Sequence, residues 1–177
     1  KAAIREDGRA DVDSVRDAMT PNTVLVVGSA PNYPNGAIDP ITEIAAIAQE
    51  RGVPCHVDAC LGGYMLPFVE RLGHDVPAWD FRVHGVSSIS ADCHKYGYAA
   101  RGASTIIYRD PAYRRHQFFA VTDWPGGLYG SPTMTGSRPG GAIAAAWAVL
   151  NYLGEDGYTR LARVIMDTTQ ALKDGIN

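Results

Sequence analysis

Two short stretches carry residue types that could do chemistry. The first is Asp92-Cys93-His94-Lys95-Tyr96-Gly97-Tyr98, which follows the run Ser87-Ser88-Ile89-Ser90-Ala91. Such a run can end a buried strand, so His94 and Lys95 would stand at its carboxyl end, and Gly97 would let the chain turn. A lysine in that place is either a solvated loop charge or a nucleophilic amine. The second stretch is His56-Val57-Asp58-Ala59, the end of another apolar run, which puts a carboxylate at a second strand end. An acid and an amine from the carboxyl ends of two strands of one α/β sheet is how such folds build sites. The pair also matches what pyridoxal phosphate requires: an amine to condense with its aldehyde, and a carboxylate to keep its pyridine nitrogen protonated.

Each of these residues has a plainer reading beside the chemical one. Asp58 could cap the turn after its strand. Lys95 must be neutral to attack an aldehyde, which requires burial or a nearby cation to lower its pKa. His94 could bond a cofactor phosphate or a substrate group, or rest on the backbone. His56 has the same alternation as Asp58 and shares its face of the strand. Arg101 could grip a phosphate with its guanidinium fork or sit in solvent. Gly136-Ser137-Arg138-Pro139-Gly140 can offer backbone N–H groups to an anion just before a helix, or serve only as a helix entry. His74, His84 and His116 read as surface or loop residues. No pair of histidines has the spacing of a metalloprotease site, so no metal is expected. GxxxxGK[ST], GxGxxG and GxSxG are absent, which argues against nucleotide binding and against a serine-hydrolase elbow.

The elements that must position these groups can be read from pattern. Asp11 is a candidate N-cap for a helix carrying Val12, Val15, Ala18 and Met19. Residues 23–27 form an apolar run without alternation, as in a strand buried on both faces. After the loop 28–36, Asp39 as N-cap and Pro40 at the first position start a helix with Ile41, Ile44, Ala45, Ile47 and Ala48 as its buried stripe. Gly52 stops it, and residues 53–57 are the next strand. Strand, helix, strand at this spacing is a parallel crossover unit. A bend at Gly62-Gly63 leads to a helix over 64–72. Trp79 and Phe81 are core anchors in the irregular segment 76–85. Strands follow at 86–90 and 103–108, then a short helix capped by Asp110-Pro111, then a strand at 117–122. Residues 124–141 read as a long glycine-rich loop, usually functional or ordered by a partner. A helix runs from Gly141 to about Leu153, Gly154 breaks it, and a last amphipathic helix covers 158–173.

Composition is that of an ordinary soluble domain: 177 residues, 46% hydrophobic, 20% charged, net charge -3. That charge does not suggest a nucleic-acid surface. The three cysteines, Cys55, Cys60 and Cys93, show neither CxxC pairing nor zinc spacing, and their odd number favours free thiols in a reducing, cytoplasmic compartment. No apolar run approaches a membrane span, and no signal peptide opens the chain. The first residue is Lys1, so the sequence reads as a piece of a longer protein, and a membrane anchor before Lys1 is the alternative for location.

The strings His56-Val57-Asp58-Ala59-Cys60-Leu61-Gly62-Gly63, Asp80-Phe81-Arg82-Val83, Ser88-Ile89-Ser90-Ala91-Asp92-Cys93-His94-Lys95-Tyr96-Gly97-Tyr98, Asp123-Trp124 and Gly136-Ser137-Arg138-Pro139-Gly140-Gly141 resemble the sphingosine-1-phosphate lyase family. That family lies in the group II decarboxylase branch of the fold type I pyridoxal-phosphate enzymes. The likeness covers nearly the whole chain; His94-Lys95 alone is shared across the branch, while the longer strings are more specific.

The resemblance implies an α/β fold type I large domain, with a mainly parallel sheet and helices on both faces. Residues 1–150 would be part of that cofactor-binding domain, and 151–177 the start of a C-terminal helical region. It implies pyridoxal 5'-phosphate as cofactor, with Lys95 as covalent anchor, Asp58 on the pyridine nitrogen, His94 near the phosphate, and Ala59 and Cys60 lining the ring. Gly136 and Ser137 would reach the cofactor phosphate of the other subunit of a homodimer. Arg101 and Tyr98 would contact substrate. Four positions depart from the family pattern: Ala99-Ala100-Arg101 replaces Ala-Pro-Lys, which changes two of them, Cys93 stands where threonine is common, and Tyr33 where phenylalanine is. The family's Gly-Thr phosphate cradle and ring-stacking histidine belong to an upstream segment that is not in this sequence. The implied activity is retro-aldol cleavage of a phosphorylated sphingoid base to a long-chain aldehyde and phosphoethanolamine. The alternatives are an amino-acid decarboxylase of the same branch, or a non-catalytic segment lacking half the cofactor pocket.

Overall fold

A computed structural model describes residues 1–176. Helix α1 (Val12–Ala18) leads to strand β1 (Val26–Ser29), and α2 (Ile41–Glu50) to β2 (Cys55–Asp58). A 3-10 turn at Gly62–Tyr64 opens into α3 (Leu66–Arg71), followed by β3 (Val86–Ala91) and β4 (Thr105–Tyr108). The remainder is α4 (Pro111–Arg114), β5 (Phe119–Val121), β6 (Tyr129–Ser131) and α5 (Gly140–Ile176). Strands β1 to β4 form one sheet in that order, parallel through β3, with β4 antiparallel at the edge.

The crossover unit forms because α2 has one apolar stripe and the strands beneath it one apolar face. Ile41, Ile44, Ala45, Ile47 and Ala48 are all buried, as the periodicity requires, and pack over Val26, Val57 and Ile89. Burying each isoleucine contributes about 2–3 kcal/mol. Gly52, at φ +65, ends the helix where the spacing placed its stop. The opposite sheet face is different. There Val27 is half exposed, and the register sets His56 beside Val27 and Ser88, and Asp58 beside Ser90.

Several expectations shift. The first strand begins at Val26, not residue 23; Val24 is 82% exposed and outside the ladder. Its apolar type fits a strand, but the ladder partner Cys55 starts opposite Val26. Asp39 does not cap α2. Pro40 holds the cap position, and the Asp39 carboxylate instead accepts from the Ala10 N–H and the Ser29 N–H, both at 2.8 Å. It thereby joins the N-terminal segment to β1. The segment 124–141 is not one loop: β6 lies within it and pairs antiparallel with β5. Trp79 is buried as expected, and Phe81 is partly buried beneath the Arg109 guanidinium, 5.2 Å from its ring centre. Asp110 does cap α4, accepting from Ala112 N–H at 2.7 Å.

Replacing Asp39 with alanine leaves two part-buried amides without an acceptor and is expected to cost about 3 kcal/mol. Urea unfolding measures this, and Asp39→Asn, which keeps one carbonyl oxygen, should lose about half as much.

Candidate functional site

Asp58 closes β2 and Lys95 follows the end of β3, and the two strands are parallel neighbours. Their carboxyl ends therefore lie side by side, with Cys60 between the two side chains. The Cys60 N–H donates to Asp58 Oδ1 at 3.0 Å, and Lys95 Nζ lies 2.9 Å from Cys60 Sγ. Acid and amine are each one hydrogen bond from the same residue. The close turn that allows this rests on Gly63. A Cβ there would stand 2.4 Å from the Ala91 Cβ, so any side chain would push the turn off the end of β3.

The charge state of each group follows from its partners. Burial would raise the Asp58 carboxyl, but the Cys60 amide and thiol and the Ser90 hydroxyl at 3.3 Å together hold it below the usual carboxylate value. It is thus ionised at neutral pH. The amide and the hydroxyl both bond Oδ1, leaving Oδ2 to a further donor. Lys95 Nζ makes a 2.9 Å ion pair with Asp92 Oδ2 as well as its thiol contact. The Cys60 contact and then the Asp92 carboxylate raise the amine above the usual lysine value. The cofactor-free amine is therefore protonated, contrary to a lysine lowered by burial, because its side chain is one-third exposed beside an acid. Asp92 was not singled out by sequence; its spacing three residues before Lys95 was the available signal.

The other expected residues distribute as follows. His94 Nδ1–H donates to the Ala103 carbonyl at 3.0 Å, and Nε2 sits 3.6 Å from Asp92 Oδ2. Its ring is thus tied to backbone and acid beside Lys95. Ala59 is fully buried and its amide donates to the Ser90 carbonyl, so it shapes the turn from behind. Tyr98 adopts φ +59, a left-handed conformation that costs a tyrosine about 1 kcal/mol. That loop is fastened by Tyr158, whose hydroxyl donates to the Gly97 carbonyl at 2.7 Å and whose ring stacks on Phe68. Tyr158 lies beyond a break in α5 at Gly154, at φ 55 and ψ -173. Arg101 is exposed and makes no ion pair among the described residues. Ser137 is exposed and Gly136 accepts only from Thr133 Oγ1; neither bonds to Lys95, Asp58 or His94 among the described residues. No cluster of His, Cys, Asp or Glu among the described residues could hold a metal ion.

An ionised carboxylate with one free oxygen, and an amine on the adjoining strand end, fit pyridoxal phosphate: the first would take the ring N–H and the second the aldehyde. Sheet and pair together define the fold type I class of pyridoxal-phosphate-dependent proteins. Residues 14–177 match the pyridoxal-dependent decarboxylase conserved domain. The chain belongs to the pyridoxal-dependent decarboxylase family. It is 49% identical to the sphingosine-1-phosphate lyase of Arabidopsis thaliana over 99% of its own length and 32% of that protein's. It is 48% identical to rat sphingosine-1-phosphate lyase 1 over 98% of its length and 31% of that protein's. The solved sphingosine-1-phosphate lyase of Burkholderia pseudomallei superposes with a TM-score of 0.90 at 56% identity, covering 94% of this chain and 38% of that one. The chain thus spans about a third of the length of the curated relatives it matches.

The ion pair gives a signed prediction. Because Lys95 is raised, its contribution to stability is full below the unfolded lysine pKa of about 10.4 and is lost as pH rises through the folded value. Asp92 is lowered by the Ser104 and Lys95 bonds, which outweigh its burial, so its contribution is present above about pH 3.9 and lost as pH falls below its folded value. Asp92→Asn should therefore lower the Lys95 pKa, read from the titration of its ε-carbon signal in the cofactor-free protein. An unchanged titration would show that Asp92 does not hold the proton on the amine.

Proposed function

We propose that the full-length protein cleaves a phosphorylated sphingoid base between its α and β carbons, in a retro-aldol reaction yielding a long-chain aldehyde and phosphoethanolamine. The observation that carries this reading is the meeting of Asp58 and Lys95 on either side of Cys60. The names of the relatives choose the substrate class, and the identity of 49% over nearly the whole chain supports carrying it over. When bound, pyridoxal phosphate supplies an aldehyde for covalent attachment and a ring that accepts an electron pair.

This chain's residues do the rest. Asp58, ionised and with Oδ1 already bonded, would hold the ring N–H and so keep that nitrogen protonated. Lys95 Nζ must give up its proton before it reacts, and Asp92, at 2.9 Å, is the adjacent acceptor. His94, fixed by the Ala103 carbonyl, flanks the amine on the phosphate side. Arg101, exposed and unpaired among the described residues, offers its guanidinium to the substrate phosphate, and Tyr98 lines the approach. We assign Gly136 and Ser137 to the site of a second subunit, since among the described residues neither bonds to Lys95, Asp58 or His94 and Gly136 bonds only within its own turn, to Thr133. Residues 1–150 would then belong to the cofactor-binding domain and 151–177 to the C-terminal region, the break at Gly154 falling near that boundary.

In the full-length protein, Lys95→Ala should abolish the visible absorbance of the bound cofactor and aldehyde release from sphingosine 1-phosphate. Asp58→Ala should lower turnover by about 10²-fold or more, as expected for losing a fixed charge at a reacting centre. Carbon dioxide release from an amino acid, without aldehyde from the phosphorylated base, would instead place the protein among the family's decarboxylases.

A further inference from the structure

Behind Asp58 lies a row of polar side chains that the reaction does not use. His56 Nδ1 is 2.8 Å from Ser88 Oγ, His56 Nε2 is 3.2 Å from Ser90 Oγ, and Ser90 Oγ is 3.3 Å from Asp58 Oδ1. Their direction is fixed by counting protons. An ionised carboxylate only accepts, so Ser90 must spend its one proton on Asp58. Ser90 Oγ then accepts, and the donor is His56 Nε2–H. A neutral imidazole has one N–H, which leaves Nδ1 to accept from the Ser88 hydroxyl. Half-burial in the sheet favours that neutral form.

The row exists because of a bulge. Cys55 pairs with Val86, but His56 pairs with Ser88, so Ser87 is an extra residue in β3. Without it His56 would face Ser87 and Asp58 would face Ile89. The insertion turns Ser88 and Ser90 onto the face of His56 and Asp58. Ser87 is used as well: its hydroxyl accepts from the Cys55 N–H at 3.2 Å, an amide at the point where the register slips.

We propose that Ser88, His56 and Ser90 form a one-directional hydrogen-bond chain that fixes the Asp58 carboxylate for the cofactor ring nitrogen, with His56 as a positioning residue in its Nε2–H tautomer. The inference rests on the pyridoxal-phosphate reading of the site, and its consequence is specific. Oδ1 is held by the chain and by the Cys60 amide, so Oδ2 is the oxygen that would be offered to the ring nitrogen. A histidine that acts only through Asp58 adds nothing once Asp58 has lost its charge.

The first test needs no cofactor. In ¹⁵N-histidine-labelled protein at neutral pH, His56 should show Nε2 protonated and Nδ1 as a bare acceptor. An Nδ1–H tautomer or an imidazolium would overturn the proposal. The second test measures pyridoxal phosphate affinity in the full-length protein. His56→Phe should weaken binding about tenfold, the loss expected for a hydrogen-bonded chain to a charge. His56→Gln, whose amide can accept from Ser88 and donate to Ser90, should stay within about threefold of the unmodified protein. Adding His56→Phe to Asp58→Asn should change affinity by less than about twofold. Unchanged affinity in His56→Phe, or an equal loss in the Asp58→Asn background, would overturn it. If unmodified full-length protein takes up no pyridoxal phosphate, the functional reading fails, while the tautomer still decides whether the chain exists.

Discussion

The parallel pairing of β2 with β3 is the constraint on which the rest depends. Parallel strands end at the same edge, so whatever follows them is delivered to one place. Here that edge receives a carboxylate from one strand and, four residues past the other, an amine. The long connection between them is what a parallel pair requires, since a tight turn can join only antiparallel strands. Helix α2 stabilises the arrangement from one side by burying its isoleucines on the strands. The polar row of His56, Asp58, Ser88 and Ser90 lies on the other side. The sheet therefore separates two tasks by face: one supplies stability, the other chemistry.

The electrostatics of the site is decided by hydrogen bonds rather than by burial. Asp58 is partly withdrawn from water, which alone would favour its neutral form. Donors from Cys60 and Ser90 reverse that preference. Lys95 shows the converse. A lysine raised by an acid is a poor nucleophile as it stands, and the same acid is the nearest base that can relieve it. The amine at rest is parked as an ammonium, and its reactivity depends on where one proton resides.

Much of this was legible from residue pattern because the pattern and the packing agree. The stripe on α2, the stop at Gly52, the Asp110 cap and the strand-end placement of Asp58 and Lys95 each follow from local rules. What was missed follows from contacts distant in sequence. Asp39 precedes a proline and a helix, yet it bonds Ala10 and Ser29, which no window around residue 39 contains. Strand β6 holds two aromatic or glycine positions and a serine, too short and mixed to declare itself until β5 pairs with it. The role of Cys60 and Asp92 around Lys95 depends on how three turns meet. The serine register opposite His56 depends on a bulge, and one inserted residue leaves no periodic trace.

The bond from Tyr158 to the Gly97 carbonyl bears on how the protein comes into being. It spans 61 residues, and the ring that makes it stacks against α3. A chain emerging from the ribosome presents its amino end first. The sheet can assemble and the amine can leave the exit tunnel well before that phenol is synthesised. Until then the loop has no fastening for the Gly97 carbonyl, and Tyr98 carries its unfavourable backbone angle unaided. Seating of the reactive amine thus waits on a residue made long after it, and a newborn chain cut short before Tyr158 would own the right residues without the grip that aims them.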